Sequence, residues 1–218
     1  MKEQMMPGAV IVGSGPGIGR SVAHRFAKEG LAVGLVSRSG SALGLEGAVT
    51  YRADCADEDG LRAALDAMTG ELGTPDVVVY NAAVIRQDSP AEAGMRVQLE
   101  AWAVNVGGAL ITASHVLPAM ARRGGGTFIV TSGMPRPKAR YVSLSLGKAG
   151  VRALVTMLDE EYGPAGVHAA SVTVAGPVAP GTAFDPDDIA EHYWRLHTQP
   201  RGEWDQEILH TGGVGSGR

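Results

Sequence analysis

The sequence predicts a three-layer α/β/α protein built on a doubly wound, parallel sheet of the Rossmann type. Three observations carry this. Short apolar runs rich in Val, Ile and Leu recur along the chain. Amphipathic segments with helical periodicity separate them, so the strands are expected to lie parallel with both faces covered. The first run passes straight into a glycine cluster that opens a helix. Right-handed crossovers then give a doubly wound sheet, whose ligand belongs at the carboxyl ends of the strands near the switch point.

The elements run in order. Ala9–Val12 is the first strand. Ile18–Glu29 is a helix with Ile18, Val22 and Phe26 on one face and Gly30 as its stop. Leu31–Ser37 and Ala48–Arg52 are the second and third strands. Asp57–Leu72 is helical, with acids in its first turn and Gly73 past its end. Pro75 leads into the fourth strand, Asp76–Tyr80. Pro90–Arg123 carries one or two helices, and Thr127–Thr131 is the fifth strand. Val142–Tyr162 is a long helix ended by Gly163-Pro164, and Val167–Val174 is the sixth strand. Asp185–Thr198 is helical. Beyond Thr198 the chain shows no clear pattern, and residues 212–218 are expected to be a loose tail.

Composition bounds the function. The 218 residues are 44% hydrophobic and 19% charged, with 31 glycines, which fits a globular chain with many tight turns and excludes disorder. A formal net charge of −4 argues against a nucleic-acid partner. The lone Cys55 excludes an internal disulfide and a Cys-rich metal site, so a reduced, cytoplasmic compartment is expected. Met1-Lys2-Glu3-Gln4 fits no signal or transit peptide. The longest apolar stretch, Val104–Ala121, contains Asn105, His115 and Pro118, and is expected to be a buried or interface helix and not a membrane span.

The run Val12-Gly13-Ser14-Gly15-Pro16-Gly17-Ile18-Gly19 carries the chemistry. Glycines let backbone turn sharply and approach a pyrophosphate, and a helix start offers free N–H groups and a positive dipole end. A purely structural turn is the plainer alternative, but the strand-to-helix context favours nucleotide. Residues 1–211 are therefore expected to form one dinucleotide-binding domain.

The spacing is not G-x-G-x-x-G, because Ile18 stands where that pattern needs its last glycine. Glycines at 13, 17 and 19 resemble the G-x-x-x-G-x-G turn of the short-chain dehydrogenase/reductase family. Further matches come in that family's order, over roughly residues 8–182. The resemblance implies that Asp54, next to Cys55, meets adenine. It implies that Asn81-Ala82-Ala83 corresponds to the Asn-Ala-Gly turn and that Asn105 is the proton-relay asparagine. Ser132 corresponds to the active-site serine, Lys148 to the active-site lysine, and Gly176-Pro177-Val178 to the nicotinamide-side loop. The expected cofactor site is thus Gly13, Ser14, Gly15, Gly17, Ile18, Gly19, Ser37, Arg38, Asp54, Cys55, Asn81, Ala82, Ala83, Lys148, Pro177 and Val178. Plainer readings stay open: Asp54 as a turn or cap residue, Asn81 satisfying loop backbone, Asn105 as buried packing, Lys148 as a solvated lysine. The Cys55 side chain itself fits a small buried apolar residue.

The stretch about 20 residues past the glycines, where an NAD site carries an acid, is Val36-Ser37-Arg38-Ser39. It holds no acid. Arg38 suits a 2′-phosphate and Ser37 can add a hydroxyl, so NADP(H) is expected ahead of NAD. Arg20 adds positive charge nearby. Arg38 as an ordinary surface arginine is the alternative.

The family's catalytic centre is Ser…Tyr-x-x-x-Lys, but four residues before Lys148 stands Leu144. Leucine cannot exchange a proton. Tyr141, seven residues before Lys148, is nearly on the same helical face with an offset of roughly 10 Å. It is the candidate replacement, against an alternative role in packing. Ser145 shares the face but is a poor acid. The expected catalytic set is Ser132, Lys148, Asn105 and Tyr141, with slow turnover on carbonyls. The segment between Ser132 and Leu144 is shorter than the family's, and the substrate-covering insertion after Gly176 is largely missing. Tyr193 and Trp194 are expected in the core, with capping of the site as the alternative. His192 and His197 lie five apart, which is not a paired-ligand spacing on a helix, and no metal is expected.

The expected function is an NADP(H)-dependent oxidoreductase acting on a small-molecule carbonyl or alcohol. The alternative is a nucleotide-binding protein with little or no catalysis, serving as a redox sensor or assembly partner. Apolar faces at 97–121 and 142–162 would suit a homodimer or homotetramer.

Overall fold

β1 (Gly8–Val12) shows why both faces of the sheet are covered. In the computed structural model, which describes residues 8–92 and 94–212, Val10 and Val12 enter one apolar cluster while Ala9 and Ile11 enter another. The same split recurs in β4 (Val77–Tyr80), with Val78 and Tyr80 on one side and Val77 and Val79 on the other. Alternate side chains point to opposite faces, so a strand that is apolar throughout needs a helical layer on each side.

β2 (Ala32–Ser37), β3 (Val49–Arg52), β5 (Gly126–Gly133), β6 (Val167–Val174) and β7 (Glu207–His210) complete a seven-stranded sheet ordered β3-β2-β1-β4-β5-β6-β7. Every pairing is parallel. The order reverses between β1 and β4, and this is the switch point at which ligands bind such sheets. α1 (Ile18–Lys28) and α6 (Pro186–Thr198) cover one face; α2 (Glu58–Leu72), α4 (Gly108–Arg123) and α5 (Val142–Tyr162) cover the other.

The structure refines several expectations. The stretch 95–123 runs through α3 (Met95–Trp102), a π-helical turn (Ala103–Gly107) and α4. By length and composition this helical stretch could cross a membrane, yet half of its most apolar window is buried within the fold. β5 reaches Gly133, so Ser132 lies inside the strand, paired with Thr173, and is not a residue beyond its end. The unpatterned region after α6 contains β7, which pairs with β6. No helix joins β2 to β3. That connection has Gly40, Gly44 and Gly47 at φ of 66°, 76° and 76°, which interrupt helical geometry. Met1–Gln4, where a targeting segment would start, and residues 213–218 of the expected tail lie outside the described residues.

α5 begins unusually. Tyr141 holds its N-cap position but offers no side-chain cap. Asp88, from the loop after β4, supplies the carboxylate instead: its two oxygens accept from the Ser143 amide at 3.2 and 3.3 Å. The Asp88 amide donates to the Arg140 carbonyl at 3.1 Å. An anion at a helix start satisfies orphan donors and complements the dipole. Asp88→Ala is expected to lower stability by about 1–2 kcal/mol, read as a shifted denaturant midpoint. An unchanged midpoint would mean that water caps α5 equally well.

Candidate functional site

The glycines of the first turn do two different jobs. Gly13, at φ 83°, comes so close to the turn after β4 that a Cβ would fall 2.3 Å from the Ala82 nitrogen. A Cβ on Gly19 would meet the Ser14 Cα at 3.0 Å. These two permit chain-to-chain contact. At Gly15 and Gly17 a Cβ would meet nothing within 4 Å. Packing does not demand glycine there. The turn leaves an open ledge at the amino end of α1, which has no side-chain cap and no acid in its first turn. The buried Ser14 donates to the Val36 carbonyl at 3.3 Å, fixing the ledge against β2. Ile18, half-buried, opens the helix.

At the ends of β4 and β5 a polar network ties the strands. Asn81 donates to the Gly13 carbonyl at 2.9 Å and accepts from the Thr131 hydroxyl at 2.8 Å. Thr131 has only one proton to give, so the Tyr193 hydroxyl, 2.6 Å away, donates to it. Asn81 therefore serves the backbone and β5, and Ala82 abuts Gly13, with Ala83 next in the chain. Tyr193 is fully buried, and Trp194 packs edge-on against Phe26 with Arg25 over its ring. Both belong to the α1–α6 layer, so neither caps the site.

Lys148 is buried, and its Nζ donates to the Thr131 carbonyl at 2.7 Å. Burial, reinforced by the like charge of Arg152, pushes its ammonium down from 10.5 to about 8. Ser132 lies next along β5, with Oγ 3.5 Å from the Lys148 carbonyl. Arg152 Nη1 donates to Ser132 Oγ at 3.2 Å and to the Gly133 carbonyl at 2.8 Å. Asn105, in the π-helical turn, uses its amide on Val84, accepting from the nitrogen at 2.7 Å and donating to the oxygen at 3.4 Å. Gly147 allows this approach, since a Cβ there would meet the Asn105 Cβ at 2.7 Å.

The structure thus brings Ser132, Lys148 and Asn105 to one strand end and leaves Tyr141 apart. The Tyr141 hydroxyl accepts from exposed Gln87 at 3.2 Å. As the residue before α5, Tyr141 has a backbone that pairs with the 85–88 loop and is not free to swing inward. Leu144 is buried one helical turn before Lys148. Ser145 is engaged with the backbone of Lys138. Sequence reasoning missed Arg152, although its i+4 spacing from Lys148 on a helix was the available signal.

At the end of β2, Ser37 Oγ accepts from the Gly40 amide at 3.1 Å and lies 3.3 Å from Ser39 Oγ. Arg38 and Arg20 are exposed, and among the described residues neither pairs with a carboxylate. Asp54 caps its own turn, accepting from the Ala56 amide at 3.0 Å while remaining exposed. Cys55 is buried in the core with Tyr80, and burial pushes its thiol up to about 11. Its side chain is thus the small buried residue expected from the sequence, which leaves only its backbone to face a cofactor. Pro177 and Val178 sit exposed on the 175–185 loop, where Phe184 folds back onto Gly176. A separate cavity of about 410 Å³, lined by Arg123, His168, His197 and Trp204 among others, lies at the opposite, amino-end side of the sheet.

The short chain dehydrogenase family matches residues 8–185. The chain belongs to the short-chain dehydrogenase/reductase family. It is therefore a member of an NAD(P)-binding oxidoreductase family whose substrates are small molecules. It is 30% identical over 194 residues to glucose 1-dehydrogenase 2 of Bacillus subtilis, covering 80% of this chain and 70% of that one. It is 28% identical over 193 residues to cis-4-hydroxycyclohexanecarboxylate dehydrogenase of Sinomonas cyclohexanicum, covering 82% and 74%. The structure of ElxO with NADP bound superposes with a TM-score of 0.86 at 18% identity, covering 96% and 98%. That likeness establishes the fold.

The ledge gives a direct test. Gly17→Val is expected to fold normally, because its side chain enters open space, and to lose nucleotide affinity by blocking backbone approach to phosphate. Circular dichroism checks the first half and NADPH fluorescence titration the second. Unchanged affinity would remove the phosphate assignment.

Proposed function

We propose that this chain is an NADP(H)-dependent oxidoreductase acting on a small carbonyl or alcohol. The observation that carries the reading is the open ledge at Gly15 and Gly17, leading to an exposed Arg38 that pairs with no carboxylate among the described residues, at a strand end that holds no acid. The pyrophosphate would rest on Gly13–Gly19, the 2′-phosphate on Arg38 with Ser37, and adenine beside Asp54. Ala82 and Ala83 would floor the site, Lys148 would hold the nicotinamide ribose, and Pro177 and Val178 would border the nicotinamide. When bound, the cofactor supplies or accepts the hydride. Ser132 would hold the substrate oxygen, and Asn105 fixes the Val84 backbone beside it.

A second reading, nucleotide binding with little catalysis, draws on Leu144. It puts an apolar side chain one turn before the lysine, where the family's reaction uses a phenol. The lone, buried Cys55 suits a reducing cytoplasm. Leu99, Trp102, Leu110, Leu146 and Met157 expose apolar surface on α3, α4 and α5, which a second copy of this chain would cover in a homodimer or homotetramer.

Two measurements test the reading. Wild type is expected to bind NADPH more tightly than NADH, and Arg38→Glu to narrow or reverse the difference. A charge-assisted contact of this kind contributes about 1.5–3 kcal/mol. Equal wild-type affinities would overturn the choice of NADP(H). In steady-state reduction of an aldehyde panel, Tyr141→Phe is expected to leave the rate unchanged, since that hydroxyl faces Gln87, while Leu144→Tyr raises it. A large loss in Tyr141→Phe would mean that α5 unwinds in the working enzyme.

A further inference from the structure

Carbonyl reduction leaves charge on oxygen, and some group must neutralise it. The side chains around Lys148 narrow the choice. Leu144 has no exchangeable proton. The Tyr141 hydroxyl is held by Gln87, Ser145 is engaged with Lys138, and both functional atoms of the Asn105 amide are engaged with Val84. What remains at the end of β5 is an ammonium, a hydroxyl and a guanidinium.

We propose that Lys148 itself donates the proton to the substrate oxygen, and that Arg152 positions Ser132 and favours release of the lysine proton. The proposal rests on the oxidoreductase reading above. Two features of the geometry point to it. Lys148 Nζ donates to the Thr131 carbonyl, and Ser132, the next residue of β5, reaches the Lys148 carbonyl with its Oγ, so the ammonium and the hydroxyl share one strand end. Thr131 occupies one of the three ammonium donors, which leaves one for the nicotinamide ribose and one for the substrate oxygen.

The charges around Nζ agree. From its own helix, Lys148 faces the cationic Arg152. From β5 it faces neutral Thr131 and Ser132, and the π-helical turn brings neutral Asn105 against the adjoining Gly147. Among the described residues no carboxylate pairs with Lys148. Asp88 is committed to the start of α5, and Tyr141 to Gln87. A buried ammonium beside a second cation, without a counter-ion, is disposed to give up its proton. Arg152 acts twice: its positive charge disfavours the Lys148 ammonium, and its donation into Ser132 Oγ holds that oxygen in place, so the serine proton, spent here on a long 3.5 Å bond to the Lys148 carbonyl, can be exchanged for a bond to substrate.

The step balances. A bound dihydronicotinamide would supply the hydride, and the carbonyl C–O π pair would then move onto oxygen. An N–H bond of Lys148 breaks as the new O–H bond forms, giving the alcohol and a neutral amine. The amine regains its proton from water.

Competitive acetylation of the cofactor-free protein as a function of pH, read by mass spectrometry at each lysine, tests the first half. The Lys148 midpoint is expected well below those of the exposed Lys28 and Lys138, and Arg152→Met is expected to raise it. The second half uses Lys148→Arg, which keeps the charge but cannot release its proton. It is expected to bind NADPH within a few-fold of wild type and to reduce aldehydes at least about 100-fold more slowly in single turnover. The wild-type single-turnover rate is expected to fall as pH rises through the acetylation midpoint. An ordinary midpoint unmoved by Arg152→Met, or a Lys148→Arg variant as fast as wild type, overturns the proposal. If NADPH binds and reduction is pH-independent, the acid role alone falls. A wild type that binds no NADPH removes the oxidoreductase reading, and the acid role with it.

Discussion

Thr131 is the point on which the site hangs. Its hydroxyl donates to Asn81 and accepts from Tyr193, while its carbonyl takes the Lys148 ammonium. Asn81 passes the connection to Gly13. One residue of β5 thereby links the glycine turn after β1, the turn after β4, α6 and the lysine-bearing helix α5. Each bond is modest alone, but buried polar groups linked in series specify one another's orientation, and losing a member leaves the others unsatisfied. The Tyr193 phenol contributes because it stays neutral. Burial drives its ionisation far upward, against a smaller opposing effect of its bond to Thr131. The three strand ends that the switch-point rule marks as the place to search are thus held at fixed spacing by side chains, beyond what the sheet ladder alone provides.

The fold was legible because its signals are local and periodic. Apolar runs bounded by glycine and proline gave five of the strands within one residue and β5 within two, its end running past Thr131 to Gly133. β7 was not legible, since Glu207–His210 has a charged start and only two apolar residues, and takes its identity from β6. The site divided along the same line. Positions set by spacing from the glycines or by order along the helix could be read directly: the open ledge, Arg38, Lys148 and the absence of a phenol at Leu144. Positions set by tertiary approach could not. Asp88 lies 55 residues from the helix start it caps, and nothing near it in sequence announces that role. Thr131 shows no motif, because its importance is a matter of where β4 and α6 end. Tyr141 illustrates the opposite error. Helical phase placed it on the correct face, but phase holds only inside the helix, and Tyr141 is the residue before it.

Lys148 sets the energetic terms of the site. Its ammonium has a reference value of 10.5 when exposed and lies at about 8 in the fold, through burial and the neighbouring Arg152. Between those values the unfolded chain binds the proton that the folded chain has lost, so stability rises with pH across that interval. Below about pH 8 both states are protonated and the whole penalty stands, on the order of 3 kcal/mol. This is the reverse of a group that gains a partner on folding. An apolar side chain of similar length would pack against Leu144 and Val151 without that cost. A destabilising charge held within the core of an otherwise well-satisfied polar network is hard to explain by packing, and it coincides with the strand end where the fold places its ligand. Arg152 sharpens the argument. A carboxylate at that position would neutralise Lys148 and recover most of the loss, whereas this chain places a second cation there and turns it toward Ser132.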